Sequence, residues 1–242
     1  MTKLVCERLR VDRGAALVVD GVELEACAGQ GCGVIGANGS GKTSLLRAIA
    51  GRLPIAAGRC LIHGVDKADD RASRAERIGF APPVEVLPGA LRSRDVLALA
   101  GGSLDAALEH LGPLRHALAV DGLIDRDIGA CSAGMRQRIA IACAFAGGQD
   151  IVVLDEPFNW LDPVAAYDVR IALRRMTEEG LTLITALHDL GMLLTTCDQG
   201  LLLSAGSVAL TMSQARLAEA RHDPGAFEQR MIHALRGDAA PA

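Results

Sequence analysis

The sequence holds only three lysines, Lys3, Lys42 and Lys67, against 22 arginines. It has one tryptophan, one tyrosine and four phenylalanines among 242 residues. So few aromatics argue against a base-stacking surface. A net charge of −4 argues against a phosphate-backbone binder. No nucleic-acid partner is therefore expected. The seven cysteines, Cys6, Cys27, Cys32, Cys60, Cys131, Cys143 and Cys197, are odd in number and form no CxxC pair. They read as small buried thiols in a reducing compartment, not as a disulfide or zinc framework. The N-terminal run MTKLVCERLRVDRG carries charge too often for a signal peptide. The longest apolar run, IAIACAFAGG, falls far short of the ~20 residues that span a bilayer. A membrane role would therefore go through a partner. Internal repeats and low-complexity segments are missing as well.

What is present alternates strands with helices. KLVCERLRV and GVELEACAG read as strands with a turn between them, and GCGVIG as a short buried strand ending in glycine. GKTSLLRAIAG reads as a helix stopped at Gly51. GRCLIHG and RIGFAPP read as further short strands. The pattern turns helical over residues 92–118, as two pieces. SAGMRQRIAIACAFAGG reads as a helix capped by Ser132, and IVVLDEP as an apolar strand ending in two carboxylates. A helix with Pro163 in its first turn follows. LTLITALHD is a strand, QGLLLSAGSVAL a hairpin, residues 213–235 helical, and GDAAPA a frayed end. The alternation predicts an α/β fold with a mostly parallel sheet.

GANGSGKT, Gly36 to Thr43, matches G-x-x-x-x-G-K-[ST] between a strand and a helix. Glycines turn backbone N–H groups inward, and the helix end adds positive potential. Gly36, Asn38, Gly39, Ser40, Gly41, Lys42, Thr43 and Ser44 are the expected nucleotide contacts. Lys42 would meet the β- and γ-phosphates, and Thr43 would ligate Mg²⁺. Asp155 and Glu156 stand where an open α/β sheet places its ligand. Asp155 is expected to orient Mg²⁺ and Glu156 to polarise the attacking water. His188 ends a second apolar strand at the same crevice, where it would bond the γ-phosphate and hold the water. Lys42, Glu156 and His188 are thus the catalytic candidates, and Thr43 and Asp155 the metal candidates. A kinase, a GTPase or a generic ATPase would all fit these pieces, although no N-K-x-D base-reading motif follows the loop.

The order of phosphate loop, CSAGMRQR, IVVLDEP, NWLDP and His188 resembles the nucleotide-binding domain of ABC ATPases over residues 1–210. Ser132, Gly134, Gln137 and Arg138 match that family's signature, and Asp162 its D-loop. The resemblance implies a P-loop NTPase core with a mostly parallel sheet and an antiparallel β subdomain. It also implies a helical subdomain inserted at 84–146, and residues 211–242 as a C-terminal helical tail of one domain. It implies ATP and Mg²⁺ as ligands, and two ATP sandwiched in a head-to-tail homodimer or a heterodimer with another ABC ATPase. Ser132 and Gly134 would then face the γ-phosphate on the other subunit. It further implies an integral membrane permease as partner and a cytoplasmic place on the inner face of the membrane.

The sequence also departs from the family. Arg13 stands where an adenine-stacking aromatic is usual, Pro83 where a glutamine is usual, and Cys131, Ala133 and Met135 where Leu, Gly and Gln are usual. An active but slow ATPase is expected, or the weaker half of a heterodimer. The loop around Pro83 to Leu91, with Val84, Val86 and Leu87, is either a docking face or an ordinary loop packed on its own domain. A short C-terminal part leaves no room for an added regulatory domain and leans toward an exporter or small-cargo system. A soluble ABC-type ATPase acting on another macromolecule is the alternative.

Overall fold

The structure, a computed structural model, describes residues 1–236; the GDAAPA end lies outside them. Two sheets carry the fold. The smaller is antiparallel, in the order β2-β1-β4-β5. It comprises β1 (Thr2–Arg13), β2 (Ala16–Cys27), β4 (Ala57–Ile62) and β5 (Val65–Asp66). The strands β1 and β2 run further than the sequence pattern predicts. They close on a two-residue turn in which Gly14 takes φ +63°, and Arg13 pairs with Ala16 across it.

The larger sheet has the order β10-β9-β3-β8-β7-β6. Its strands are β3 (Gly31–Gly36), β6 (Gly79–Phe80), β7 (Ile151–Asp155), β8 (Thr182–Leu187), β9 (Gln199–Ser204) and β10 (Ser207–Met212). Every pairing is parallel except the β9–β10 hairpin. Residues of β3 and β8 are buried throughout, so these strands show no polar alternation, as expected of a sheet covered on both faces. The α/β reading with a mostly parallel sheet and a separate antiparallel sheet holds.

Helices fill the two faces. On one side, α1 (Lys42–Ile49) packs between the sheets, with Leu45, Leu46 and Ile49 against Val11, Val153 and Ile184. On the other lie α3 (Ser93–Gly101), α4 (Leu104–His110), α5 (Leu114–Ala117), α6 (Ala133–Phe145) and α7 (Pro163–Glu178). Their apolar sides meet Val152, Leu154 and Leu183. Val152 and Val153 thus serve opposite cores, the two-residue period of a strand. A further cluster, Leu87, Val96, Leu123, Ile128, Ile139 and Ala140, lies wholly among the helical segments. Leu87 is therefore core rather than exposed surface; Val84 packs against the same cluster, and only Val86 of the three stands in solvent.

Two helices escaped the sequence pattern. The first, α2 (Arg71–Arg77), has no apolar stripe; it starts at Asp70, whose carboxylate accepts the Ser73 N–H, and buries only Arg74. The second, α8 (Leu190–Thr196), is a short apolar piece capped by Asp189. The chain closes with α9 (Gln214–Ala220) and α10 (Pro224–Arg236), whose Leu217, Phe227 and Met231 meet Ile35, Leu202 and Met212. No helix of the described residues is long and apolar enough to cross a membrane.

Arg74 is fully buried and donates to the carbonyls of Ala48 (3.1 Å), Lys67 (2.5 Å), Leu53 (3.2 Å) and Ala68. Burial holds its pKa below the ordinary arginine value. It ties the end of α1 to α2 and to the loop after β5. Arg74→Ala would leave those carbonyls unsatisfied and open a cavity. A loss of about 3 kcal/mol is expected in urea unfolding, with Arg74→Lys recovering only part because one ammonium cannot reach four acceptors in a plane.

Candidate active site

The phosphate loop joins β3 to α1. Gly41 precedes α1 at φ +104°, and a Cβ there would stand 2.6 Å from the Val18 carbonyl on β2. Only glycine fits both the dihedral and the contact. Helix α1 has no side-chain cap, whereas α2, α4, α6, α7, α8 and α9 each have one. Its first N–H groups have no helical carbonyl ahead of them and point into the loop. The Ser40 hydroxyl is buried there without a hydrogen-bond partner.

Lys42 is buried and lays its ammonium on the Gly36 carbonyl (2.7 Å) and the Ala37 carbonyl (3.2 Å). A cleft of about 380 Å³ opens over the loop, lined by residues 38–44 with Arg13, Val18 and Glu156. The cradle suits an anion of several phosphates: an uncapped helix, an unpartnered hydroxyl and a buried ammonium converge on it.

The parallel strands β7 and β8 end side by side, with Asp155 opposite Ala186. Asp155 accepts a hydrogen bond from Thr43 Oγ1 at 3.3 Å. Burial pushes its carboxyl above the ordinary range; the Thr43 bond and the charges of Arg47 and Lys42 work against that, and Glu156 works with it. Two adjacent hard oxygens and a charge left short of compensation suit a magnesium ion, which takes one or two protein oxygens and completes its shell with water and phosphate. Among the described residues no group of three or more metal-binding side chains exists, consistent with that sparse set.

Glu156 takes φ +53°, a left-handed conformation uncommon outside glycine. One of its oxygens lies 4.0 Å from the Lys42 ammonium. The other stands 2.6 Å from His188 Nε2 and accepts from Asn159 Nδ2 at 3.0 Å. The predicted residues Lys42, Thr43, Asp155, Glu156 and His188 therefore meet at one mouth. Asn159 is the partner that sequence reading missed; it sits in NWLDP, three residues past Glu156. Arg47, one helical turn beyond Thr43, is the other, recoverable from the i, i+4 spacing on α1.

The family model for the ABC transporter matches residues 19–159. This chain belongs to that family. A Halobacterium salinarum protein named as an ABC transporter ATP-binding protein is 34% identical over 218 residues, 88% of this chain and 94% of that one. The hemin import ATP-binding protein HmuV of Pseudomonas fluorescens strain Pf-5 is 34% identical over 212 residues, 83% of this chain and 82% of that one. A solved ATP-binding subunit of an ABC transporter superposes with a TM-score of 0.83 over 97% of this chain and 99% of its own length, at 24% identity. The chain is thus an ABC ATPase, the ATP-binding subunit of a transporter.

Of the remaining predicted positions of this ABC ATPase, Ser132, Gly134 and Asp162 lie apart from the loop. Ser132 caps α6, its hydroxyl accepting the Met135 N–H at 3.2 Å. Asp162 caps α7 through the Val164 and Ala165 N–H groups and pairs with Arg138 at 2.9 Å. A Cβ on Gly134 would stand 2.6 Å from the Trp160 carbonyl, and Gln137 donates to the Pro157 carbonyl at 3.0 Å. Helix α6 is therefore seated on the loop that carries Asn159. Ser132, Gly134 and Asp162 do not line the phosphate-loop cleft. Arg13 stands at that cleft's rim. Pro83 lines a second cleft that also reaches Asp155 and Glu156.

The raised Asp155 pKa carries a stability consequence. The folded chain holds this proton to higher pH than the unfolded chain does, so ionising Asp155 in the ligand-free fold costs stability. Asp155→Asn is expected to match the parent at low pH, where both side chains are neutral. It should become the more stable of the two as pH rises through the raised pKa. Urea denaturation across pH, without nucleotide or Mg²⁺, checks this, and the same variant should lose Mg²⁺-dependent stabilisation by ATP.

Proposed function

We propose that this subunit binds Mg·ATP at residues 36–44 and hydrolyses it as one half of an ATP sandwich that drives a separate membrane permease. The observation that carries the reading is Glu156, held between the Lys42 ammonium and His188 at the mouth of the phosphate loop. In this reading the N–H groups of Gly39 and of Gly41 to Ser44, with Lys42 Nζ, hold the phosphates, and the Asn38 and Ser40 side chains complete the cradle. Thr43 and Asp155 would hold Mg²⁺, which would supply charge compensation to the phosphates when bound. Glu156 accepts the proton of the attacking water while the water oxygen bonds the γ-phosphorus. The bond to the ADP oxygen breaks in line, and His188 fixes the water and the Glu156 carboxylate. Arg13 offers a guanidinium plane to the adenine.

The far side of the γ-phosphate is supplied by Ser132 and Gly134 of a second subunit, an identical copy or a related ABC ATPase. The supporting observation is that Ser132 caps an exposed helix start and stands off its own phosphate-loop cleft. Residues 84–146 form a helical subdomain within the single domain, and α9 and α10 form its C-terminal tail in place of the expected start at residue 211, which lies in β10. The cleft between Phe80, Pro83, Val86 and Leu99 receives the permease, since Val86 and Leu99 stand exposed beside it. The subunit then sits in the cytoplasm, peripheral on the inner membrane face, and no nucleic acid takes part. Cargo and direction belong to the permease.

Glu156→Gln is expected to cut steady-state turnover at least about a hundredfold, the scale of a lost general base, while ATP binding persists. The same variant should pair in gel filtration only when ATP and Mg²⁺ are present. Trp160, the sole tryptophan and exposed in the single chain, should then change its emission. Ser132→Phe should abolish hydrolysis and pairing yet leave ATP binding by the single chain intact. Unchanged turnover in Glu156→Gln would remove the assigned base.

A further inference from the structure

Helix α7 has two apolar sides. Its inner side, Ala165, Ala166, Val169, Ala172 and Leu173, is core. Its outer side shows Val164, Tyr167 and Ile171, at 70%, 55% and 51% exposure. The spacing i, i+3, i+7 puts them on one stripe about 10 Å long. A globular helix normally turns charged residues outward. This one turns outward the chain's only tyrosine and two branched aliphatics, with Asp168 as the exposed carboxylate beside them.

Beside the stripe runs a groove of about 580 Å³ between α7, α8 and the start of α10. It is lined by Ile171, Leu194 and Pro224 together with Arg170, Arg174 and Arg221. No lining residue is a carboxylate, although the whole chain carries −4. Arg174 is already paired, with Asp198 (2.6 Å) and Glu178 (3.2 Å). Arg170 lies over the Tyr167 ring at 5.2 Å, and Arg221 donates to the carbonyls of Leu194 (2.7 Å) and Cys197 (2.9 Å). Among the described residues neither Arg170 nor Arg221 has a carboxylate partner.

We propose that this groove and stripe receive an acidic amphipathic helix from another protein. The charge is complementary: two guanidinium groups without counter-charge flank an apolar row. Arg170 on α7 and Arg221 before α10 stand on the two sides of the groove, so carboxylates on both flanks of one helix would meet them. Ile171 belongs to both the stripe and the groove beside it, so one helix laid along α7 would cover both.

The test uses the full chain and a labelled amphipathic peptide of about 15 residues, long enough to form helix. It carries leucine at i, i+3 or i+4 and i+7, with glutamate on both flanks. Fluorescence anisotropy is expected to show saturable binding that weakens with salt. Ile171→Ser and Arg170→Glu, both on the surface, should each weaken it about tenfold or more while basal ATP hydrolysis and circular dichroism stay unchanged. A peptide with lysine for glutamate, or with scrambled order, should not bind. The proposal is overturned by absence of saturable binding, by equal binding of the scrambled peptide, or by indifference to both substitutions. It is overturned equally if phosphatidylglycerol vesicles bind with the same variant sensitivity and the peptide does not, which assigns the surface to lipid. Self-association abolished by Ile171→Ser would assign it to a second copy and overturn it too.

Discussion

The cleft depends on one buried ammonium. Lys42 has no carboxylate closer than 4.0 Å, and its charge is met by the Gly36 and Ala37 carbonyls. Those bonds, with that of the Ser40 N–H to the Ala37 carbonyl, curl the loop. A buried cation of this kind is costly unless its hydrogen bonds are made. The loop backbone makes them, so its shape and the position of the charge fix each other. Glu156 is held at the edge of the same field, between that charge and His188.

Around this centre the chain stores strain. Glu156 and Trp160 both adopt positive φ, at 53° and 65°. Residues held in that region persist only where the surroundings over-determine them. Here Asn159 and His188 hold the Glu156 side chain, while Gln137 and Gly134 of α6 press on the carbonyls of Pro157 and Trp160. Arg138 closes the far end on Asp162. One short loop is thus the seat of α6 and the orienter of the carboxylate.

Much of this was legible in the sequence, for a physical reason. The glycine-rich loop, the buried strand ending Asp155–Glu156 and the strand ending His188 each obey a local rule, and the parallel sheet gathers strand ends by construction. What escaped obeys no local rule. The helix α2 is polar on every side and exists because Asp70 caps it and Arg74 reaches four carbonyls; neither leaves a hydrophobic period to read. The apolar Leu87 and Val86 are neighbours in sequence, and only packing decides that one is core and the other surface. Asn159 is legible as a residue near Glu156, but its bond depends on the turn of the backbone at φ +53°.

Helix α1 is fixed at both ends, by the bare Cα of Gly41 against β2 and by the Arg74 guanidinium on the Ala48 carbonyl. A rod pinned in this way has no freedom to slide or tilt when a polyanion arrives. The socket is therefore stiff, and filling it transmits little through its own floor. Helix α6 is not tied to that floor: it rests on the loop of residues 157–162, through Gln137 on the Pro157 carbonyl and Arg138 on Asp162.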